Sequence, residues 1–194
     1  MKKKQKALSK NKFIASTFSR ENIEAIIIAV VLALFIRSFV VQAFKIPSGS
    51  MEPTLLIGDH ILVNKFTYGI SIPFVEKKFF QFKKPQQGDV IVFIYPVDTS
   101  KDFIKRVIAV GGDRIQIKDK KIYINEKIYN DSHGFYSDPR NIYAGEPGAI
   151  RDNYGPVTVP QNCVFVMGDN RDKSYDSRFW GFADINKVKG NAFI

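Results

Sequence analysis

The sequence is organised around one stretch that starts directly after its most apolar segment: Pro47-Ser48-Gly49-Ser50-Met51-Glu52-Pro53-Thr54-Leu55. The prolines restrict φ and disfavour helix, so the two serines are expected on a stiff, extended or turning backbone. Gly49 permits a sharp turn or a close approach to another part of the chain. A Ser-Gly-Ser run is usually only a loop, so a catalytic role depends on a group elsewhere that can activate a serine.

Positive charge is concentrated at the N-terminus. Of the formal net charge of +10, residues 1–21 contribute seven Lys or Arg against Glu21 alone, a net of +6 that leaves +4 for the rest. A nucleic-acid-binding protein is expected to spread basic residues over the folded face that meets phosphate, so no nucleic-acid partner is predicted. A basic block beside an apolar segment is instead a membrane topology signal.

The apolar segment predicts a membrane anchor. Residues 25–36 are apolar without a break, and with the residues up to Phe44 they give roughly the twenty residues that span a bilayer. Arg37 lies toward the far end, where its guanidinium can reach the interface. The alternative is a cleaved secretory signal peptide, but Arg37 and Gln42 interrupt the place of a small-x-small cleavage site, so a retained anchor is favoured.

Beyond the anchor the pattern predicts a mainly β, antiparallel domain without helical periods. The predicted strands cover residues 59–65, 90–95, 102–110 and 164–167, with a hairpin over 115–124. The single cysteine, Cys163, cannot form an internal disulfide and is predicted to be a buried strand residue. The predicted organisation is a basic cytoplasmic tail (1–21), a transmembrane anchor (22–44) and an extracytoplasmic β domain (45–194) with an irregular excursion over 130–160.

A serine needs a base that takes its proton. The two histidines, His60 and His133, are interpreted as surface or packed residues. A lysine buried among apolar groups loses its charge more easily and becomes a proton acceptor. Strand alternation places Lys105 on one side with Phe103, Val107 and Ala109. The pattern alone leaves open whether Lys105 is buried or is an edge lysine in water.

Taken together, these stretches resemble the membrane-bound type I signal peptidases (leader peptidases), from the anchor to Gly181. Residues 47–55 are similar to the family's nucleophile motif, with Ser50 at the catalytic serine. Residues 105–113, Lys-Arg-Val-Ile-Ala-Val-Gly-Gly-Asp, are similar to the segment with the general-base lysine. Residues 168–181, Gly-Asp-Asn-Arg-Asp-Lys-Ser-Tyr-Asp-Ser-Arg-Phe-Trp-Gly, are similar to the third signature. The chain departs from some bacterial members by one apparent anchor instead of two and by its short excursion.

The resemblance implies a serine endopeptidase that removes signal peptides from exported preproteins after a small-x-small motif. Ser50 would attack the scissile carbonyl, and neutral Lys105 would take its proton and later protonate the leaving amine. Ser174 would hydrogen-bond the Lys105 amine and orient it. The Ser50 N–H and the Ser48 hydroxyl would form the oxyanion hole, although Ser48 could equally serve only the turn. No metal or cofactor is predicted.

Substrate recognition is expected to follow from β-augmentation, in which the signal-peptide end pairs with exposed strand edges. The predicted contacts are Phe44, Ile46, Pro47, Phe103 and Ile104, with Ile46 and Ile104 making the side-chain pockets shallow. Ion pairs that hold the site rather than perform chemistry are expected from Arg106, Asp169, Arg171, Asp176 and Arg178.

The resemblance also implies location and partners: a single-pass protein of the bacterial inner membrane, with a cytoplasmic N-terminus and the catalytic domain on the outer face. Its partners would be signal peptides, the lipid bilayer and, by proximity, the secretion translocon. The aromatic segment 66–82 and Trp180 either lie in the lipid interface or pack in the core. Two other classes stay open: a self-cleaving Ser-Lys repressor-type protein, for which an apolar segment stands where a DNA-binding domain is needed, and an anchored, non-enzymatic β module.

Overall fold

The computed structural model describes residues 20–71, 78–79 and 83–193. The chain forms two units, Met1–Val40 and Val41–Ile194. The first contains helix α1, Arg20–Phe35, which continues as a π-helical turn over Ile36–Val40, and its large apolar side chains are exposed. Within the described residues, no helix combines the length and the apolarity needed to cross a membrane. Of the predicted cytoplasmic tail, residues 1–19 lie outside the described residues.

The second unit is mainly antiparallel β, which confirms the predicted fold class. Its described strands are β1 Val41–Lys45, β2 His60–Asn64, β3 Ile70–Ser71, β4 Lys78–Phe79, β5 Val90–Ile94, β6 Asp102–Val110, β7 Arg114–Lys118, β8 Lys121–Ile124, β9 Lys127–Ile128, β10 Tyr154–Thr158, β11 Cys163–Met167, β12 Ala183–Asp184 and β13 Val188–Phe193. The predicted strands are therefore present as β2, β5, β6, β11 and the hairpin β7–β8.

The described strands form one seven-stranded sheet in the order β1-β2-β13-β5-β6-β11-β12, one four-stranded sheet in the order β10-β7-β8-β9, and the small pair β3–β4. The strand β13, last in the sequence, lies between β2 and β5, and pairs with both. The nucleophile motif follows β1 and the base segment lies on β6, so the large sheet carries both. A helix of four residues, α2 Ser177–Trp180, lies in the third motif.

The turn between β7 and β8 explains why the hairpin forms here. Asp119 and Lys120 have φ values of 47° and 66°, the left-handed conformation that a two-residue hairpin turn requires. Ile115, Ile117 and Ile122 are buried on the face that meets the core. Alternation of apolar residues on both sides of a short polar turn was therefore a reliable signal.

Three buried clusters surround the large sheet. Ile91 and Phe93 belong to the first cluster and Val90 and Val92 to the second, so β5 is buried on both faces, as its continuous apolar sequence predicts. On β6 the predicted alternation fails, because the pairing with β11 shifts register and Val107 and Ala109 fall in different clusters. A β-bulge inserts one residue and thereby changes the face of the residues that follow.

The excursion over residues 130–160 is more ordered than predicted. Its end forms β10, which extends the four-stranded sheet by pairing with β7. Its beginning lies along the third motif: the Phe135 N–H donates to the Asp169 carbonyl at 2.7 Å, and the Arg171 N–H donates to the Phe135 carbonyl at 2.8 Å. The sequence pattern could not show this, since both contacts join backbone groups of segments far apart in the chain.

Candidate active site

The nucleophile segment forms one turn of 3-10 helix over Gly49–Met51, and Ser48 before it is extended with φ −142° and ψ 155°. Met51 and Leu55 are buried in the second cluster and fix the turn against the sheet. Ser50 is consequently held in a sheltered position, with 7% of its surface exposed. Its hydroxyl accepts a long hydrogen bond of 3.5 Å from Ser48 Oγ.

Lys105 extends from β6 to the nucleophile. Its Nζ donates to Ser50 Oγ at 2.7 Å and to the Ile104 carbonyl at 3.0 Å. Lys105 is only 4% exposed, and its Nζ lies 5.4 Å from the ring centroid of Phe103. The alternative that Lys105 is an edge lysine in water is therefore wrong. Both histidines are exposed, and it is a lysine that contacts the serine.

The amine of Lys105 is easier to deprotonate than an ordinary lysine. Burial lowers the pKa of Lys105 from 10.5 to about 8, because a charged ammonium loses its hydration there. The carboxylates of Asp176 and Asp169 oppose this by attracting the positive form, and Arg178 adds to the lowering. With a pKa near 8, roughly one tenth of the Lys105 amines are neutral at pH 7, and a neutral amine can act as a proton acceptor.

Asp169 joins the segments that carry the serine and the lysine. Its carboxylate accepts from Arg106 Nε at 2.8 Å, from Arg106 Nη2 at 2.7 Å and from Thr54 Oγ1 at 2.5 Å. Arg106 also donates through Nη1 to the Gly88 carbonyl at 2.9 Å. Because Thr54 belongs to the nucleophile motif and Arg106 to β6, this buried carboxylate fixes one segment to the other.

A second buried ion pair lies behind the lysine. Arg178 donates from Nε to Asp176 Oδ1 at 2.8 Å and from Nη2 to Asp176 Oδ2 at 2.9 Å. Burial raises the pKa of the Asp176 carboxyl, but the Arg178 guanidinium and the hydrogen bonds from Ser174 and the Gly168 N–H bring it below its ordinary value. Asp176 is therefore a fixed negative charge near Lys105.

The predicted hydrogen bond between Ser174 and the Lys105 amine is not among the described contacts. In the described part of the chain, the hydrogen bonds of the Lys105 amine go to Ser50 and Ile104. The Ser174 hydroxyl accepts from the Gly168 N–H at 3.1 Å and bonds the Asp176 carboxylate. The geometry thus connects Ser174 to the amine through a charged neighbour, and not by direct contact.

The third motif also holds the backbone of the nucleophile. The Asn170 N–H donates to the Ser50 carbonyl at 3.1 Å. A Cβ at Gly168 would lie 2.3 Å from that carbonyl oxygen and 2.4 Å from Ser174 Oγ, so only glycine fits. Gly168 and Asn170 lie in the third motif, but no role was predicted for either. The available signal was a glycine directly after the apolar strand β11.

The predicted substrate-binding segments lie at strand edges. In the described sheet, β1 is the terminal strand, and β6 pairs with β11 only from Arg106 onward, which leaves residues 102–105 unpaired on that side. Both edges flank the second cluster.

The predicted contact residues differ in their surroundings. Phe44 and Ile104 pack against the second cluster, and Ile46 is fully buried in it. Pro47 is exposed, and Phe103 stacks on Tyr95 with ring centroids 4.2 Å apart.

The remaining predicted residues have structural partners. Arg171 is fully buried and pairs with Asp131 of the excursion. Trp180 is half-buried and packs against the first cluster, with its ring centroid 5.8 Å from that of Phe93 and 5.9 Å from that of Tyr95. Cys163 is half-buried on β11. Part of the aromatic segment 66–82, namely residues 72–77 and 80–82, lies outside the described residues.

Comparison with known proteins identifies the family of the chain. Residues 19–194 match the model of the family described as signal peptidase, peptidase S26. The chain belongs to the signal peptidase (peptidase S26) family. It is 41% identical over 175 residues to a signal peptidase I of Pseudomonas fluorescens, covering 80% of this chain and 61% of that protein. It is 34% identical over 224 residues to a signal peptidase I of Aquifex aeolicus, covering 90% of this chain and 83% of that one.

The chain spans about three fifths of the length of the Pseudomonas signal peptidases that it matches. A crystal structure of a signal peptidase I from Enterococcus faecalis V583 is 31% identical and covers 56% of this chain and 97% of that one, with a TM-score of 0.46. Family membership thus rests on sequence, and the mainly β fold agrees with the class that the motifs implied.

We predict that Gly168→Ala abolishes most of the activity, because the new Cβ would force the Ser50 carbonyl and the Ser174 hydroxyl apart. A shift of about 1 Å at a reacting group can cost about a hundredfold in rate. The measurement is kcat on a preprotein, with the folded fraction followed by circular dichroism. The control is Gly145→Ala, where a Cβ meets open space at a φ of 96°, so that it strains the backbone without displacing a neighbouring group. A Gly168→Ala protein with normal kcat would contradict the close approach.

We also predict that Lys105→Met makes the protein more stable at neutral pH. The lysine pKa is lowered on folding, so its charge costs stability below pH 8, and the cost fades between pH 8 and about 10.5 as the unfolded-state lysine loses its proton. The expected gain is about 1–3 kcal/mol at pH 7, measured by urea unfolding at pH 7, 9 and 10.5. Exposed Lys121→Met is the control, and a pH-independent difference would argue against a desolvated charge.

Proposed function

We propose that this chain is a membrane-anchored signal peptidase I, a serine endopeptidase that removes N-terminal signal peptides from exported preproteins after a small-x-small motif. The observation that carries the proposal is the 2.7 Å contact between the sheltered Lys105 amine and the Ser50 hydroxyl. A hydroxyl and a neutral amine in contact are the nucleophile and base of Ser-Lys hydrolases. The family membership gives this pair its substrate class.

The proposed reaction needs only residues of this chain. Lys105 accepts the Ser50 proton as the serine oxygen attacks the scissile carbonyl, and the resulting ammonium gives that proton to the leaving amine. The signal peptide remains as an ester on Ser50. Lys105 is then neutral again and takes a proton from a water molecule as the water oxygen attacks the ester carbon. The proton returns from Lys105 to Ser50 when the ester bond breaks and the acid product leaves. Asp176 and Asp169 stabilise the ammonium form between these transfers.

The proposed oxyanion hole consists of the Ser50 N–H and the Ser48 hydroxyl. Ser48 Oγ lies 3.5 Å from Ser50 Oγ and is exposed, so it can turn toward the oxygen that becomes negative when the carbonyl is attacked. The Asn170 bond to the Ser50 carbonyl supports this role because it limits rotation of the Ser50 backbone, whose own N–H is the proposed donor. One such donor typically lowers the barrier by about 2.7–4 kcal/mol.

Substrate binding is proposed to add a strand to the two free edges, residues 44–47 and 102–104. Alternate side chains of an extended peptide would then point toward the second cluster, whose surface between the edges carries Phe44 and Ile104. Ile46, buried in the same cluster, is proposed to limit the depth of the pockets. Shallow pockets would admit alanine-sized side chains and exclude larger ones, which gives the proposed small-x-small preference.

The proposed location is the bacterial inner membrane, with residues 1–21 in the cytoplasm and the catalytic domain on the outer face. The predicted anchor over residues 22–44 is shortened to end by Val40, because Val41–Phe44 belong to β1 and pair with β2. The support is the basic tail beside the apolar segment and the presence of the active-site motifs beyond it. Lipid and, by proximity, the secretion translocon are the proposed partners, since both are where exported preproteins arrive.

For the chemistry, we predict that Ser50→Ala, Lys105→Ala and Lys105→Arg each abolish preprotein cleavage while the protein stays folded. Lys105→Arg fails because a guanidinium does not deprotonate at working pH. The kcat/KM of the unaltered enzyme should rise with pH through a midpoint near the Lys105 pKa of about 8, because only the neutral amine accepts a proton. The assay is cleavage of a purified preprotein between pH 5 and 9.5.

The exposed Lys121→Arg provides the matched control and should cleave normally. Activity in Lys105→Arg, or a rate independent of pH over that range, would remove lysine as the base. An unaltered protein that binds the preprotein and leaves it intact would instead favour the non-enzymatic module.

For the location, we predict that the chain fractionates with membranes, resists carbonate extraction and keeps its N-terminus. External protease should cut the β domain in spheroplasts while an epitope fused to residue 1 stays protected. The measurement is mass spectrometry of the membrane-bound protein together with protease protection. A mature N-terminus near Phe44 would show a cleaved signal peptide and end the anchor proposal.

A further inference from the structure

The excursion contacts the third motif at many points, and the side chain of Arg151 makes several of these contacts. Residues 149–151 form a 3-10 turn that ends on Arg151. The Arg151 Nη1 donates to the Asp172 carbonyl, and it lies 3.4 Å from the Ser174 carbonyl. Its guanidinium carbon lies 5.0 Å from the ring centroid of Phe179. One guanidinium therefore touches the segment 172–179 at its beginning, its middle and its end.

The backbone of Arg151 belongs to the same arrangement. Its carbonyl accepts from Arg178 Nη1 at 2.7 Å, and Arg178 is the partner of Asp176. Arg178 shares the Phe179 ring, at 5.9 Å from its centroid. The excursion thus meets both the loop that carries Ser174 and the arginine that neutralises the carboxylate behind Lys105.

The turn that carries Arg151 is itself anchored to the β7–β8 hairpin. The Asp152 carbonyl accepts from the Lys120 N–H at 3.0 Å, and Asn153 Oδ1 accepts from the Asp119 N–H at 3.1 Å. Asp152 is 1% exposed, and its Oδ2 accepts from the Ile142 N–H at 2.8 Å. Arg151 consequently connects a rigid hairpin to the catalytic loop.

We propose that Arg151 is a positioning residue for the Ser50–Lys105 reaction: from outside the three motifs, it fixes the segment 172–179 that places Ser174 and Asp176 behind the base. The inference rests on the proposed function. Arg151 acts at a distance, since it touches neither Ser50 nor Lys105 among the described contacts and lies in the excursion, to which the sequence assigned no role.

Arginine is required here because of its shape. A planar guanidinium can donate in its plane to two carbonyls while its face lies on an aromatic ring. A lysine offers a point charge without that plane, so it can keep one carbonyl contact and loses the fixed geometry. A charged donor such as the Arg151 guanidinium also holds the Asp172 and Ser174 carbonyls more firmly than a neutral donor would.

The test compares Arg151→Ala, Arg151→Lys and the control Arg140→Ala in the full chain. Arg140 lies in the same excursion and pairs on the surface with Asp138, its one ion-pair partner among the described residues. For Arg151→Ala we expect kcat to fall about 10- to 100-fold with KM within about twofold. Arg151→Lys should recover part of the loss, and Arg140→Ala should behave as the unaltered enzyme.

The pH profile separates positioning from mere stability. If Asp176 moves away from the amine, Lys105 loses an attraction that raises its pKa, so the acid limb of Arg151→Ala should shift to lower pH. Hydrogen exchange should quicken in residues 172–179 and stay unchanged in β2 and β13. A normal kcat, an unshifted acid limb, or a loss fully explained by the unfolded fraction would overturn the inference.

The two proposals fail in distinguishable ways. Cleavage by the unaltered enzyme with no effect of Arg151→Ala removes only the positioning role. Absence of cleavage by the unaltered enzyme removes the proposed function, and hydrogen exchange alone then decides whether Arg151 holds the segment: unchanged exchange in residues 172–179 would overturn that as well.

Discussion

The structure depends on keeping one amine out of water beside one hydroxyl. Lys105 is buried by β6 and its neighbours, and the cost of its charge there lowers the pKa into the range where the amine can accept a proton. An ammonium with full access to water would keep its proton at neutral pH and could not activate Ser50. The two clusters on either side of β5, and the turn that buries Met51, are the packing that provides this shelter.

Burial alone would lower the pKa of Lys105 further, and the carboxylates near the amine oppose part of that shift. Two carboxylates, Asp169 and Asp176, attract the ammonium form, and each is paired with an arginine, Arg106 or Arg178. Unpaired carboxylates in the interior would hold the proton firmly on the amine or become protonated themselves. Each paired carboxylate keeps a weaker attraction for the ammonium. The Lys105 amine is thereby stabilised when it carries a proton and is still able to release it.

The sequence predicted the strands and the two central residues of the site better than the contacts that join distant segments around it. Apolar runs and turn residues located β2, β5, β6, β11 and the β7–β8 hairpin, because periodicity follows directly from burial. Ser50 and Lys105 could be named from the motif resemblance. The route by which Ser174 reaches the amine, the close approach at Gly168 and the order within the excursion could not be predicted, because they depend on backbone contacts between distant segments. The register shift on β6 was missed for the same reason, since the sequence of β6 alone does not show how β11 pairs with it.

The order of strands in the large sheet determines which contacts must form before Ser50 and Lys105 can meet. The serine follows β1 and the lysine lies on β6, and in the large sheet the two sides are joined only through β13, the strand nearest the C-terminus among the described residues. The strand β13 follows both of those segments in the chain, so the sheet closes between them only when β13 has paired with β2 and with β5. Assembly of the Ser50–Lys105 pair therefore depends on contacts between segments far apart in the chain, and such contacts are slow to form because a long loop has to close first.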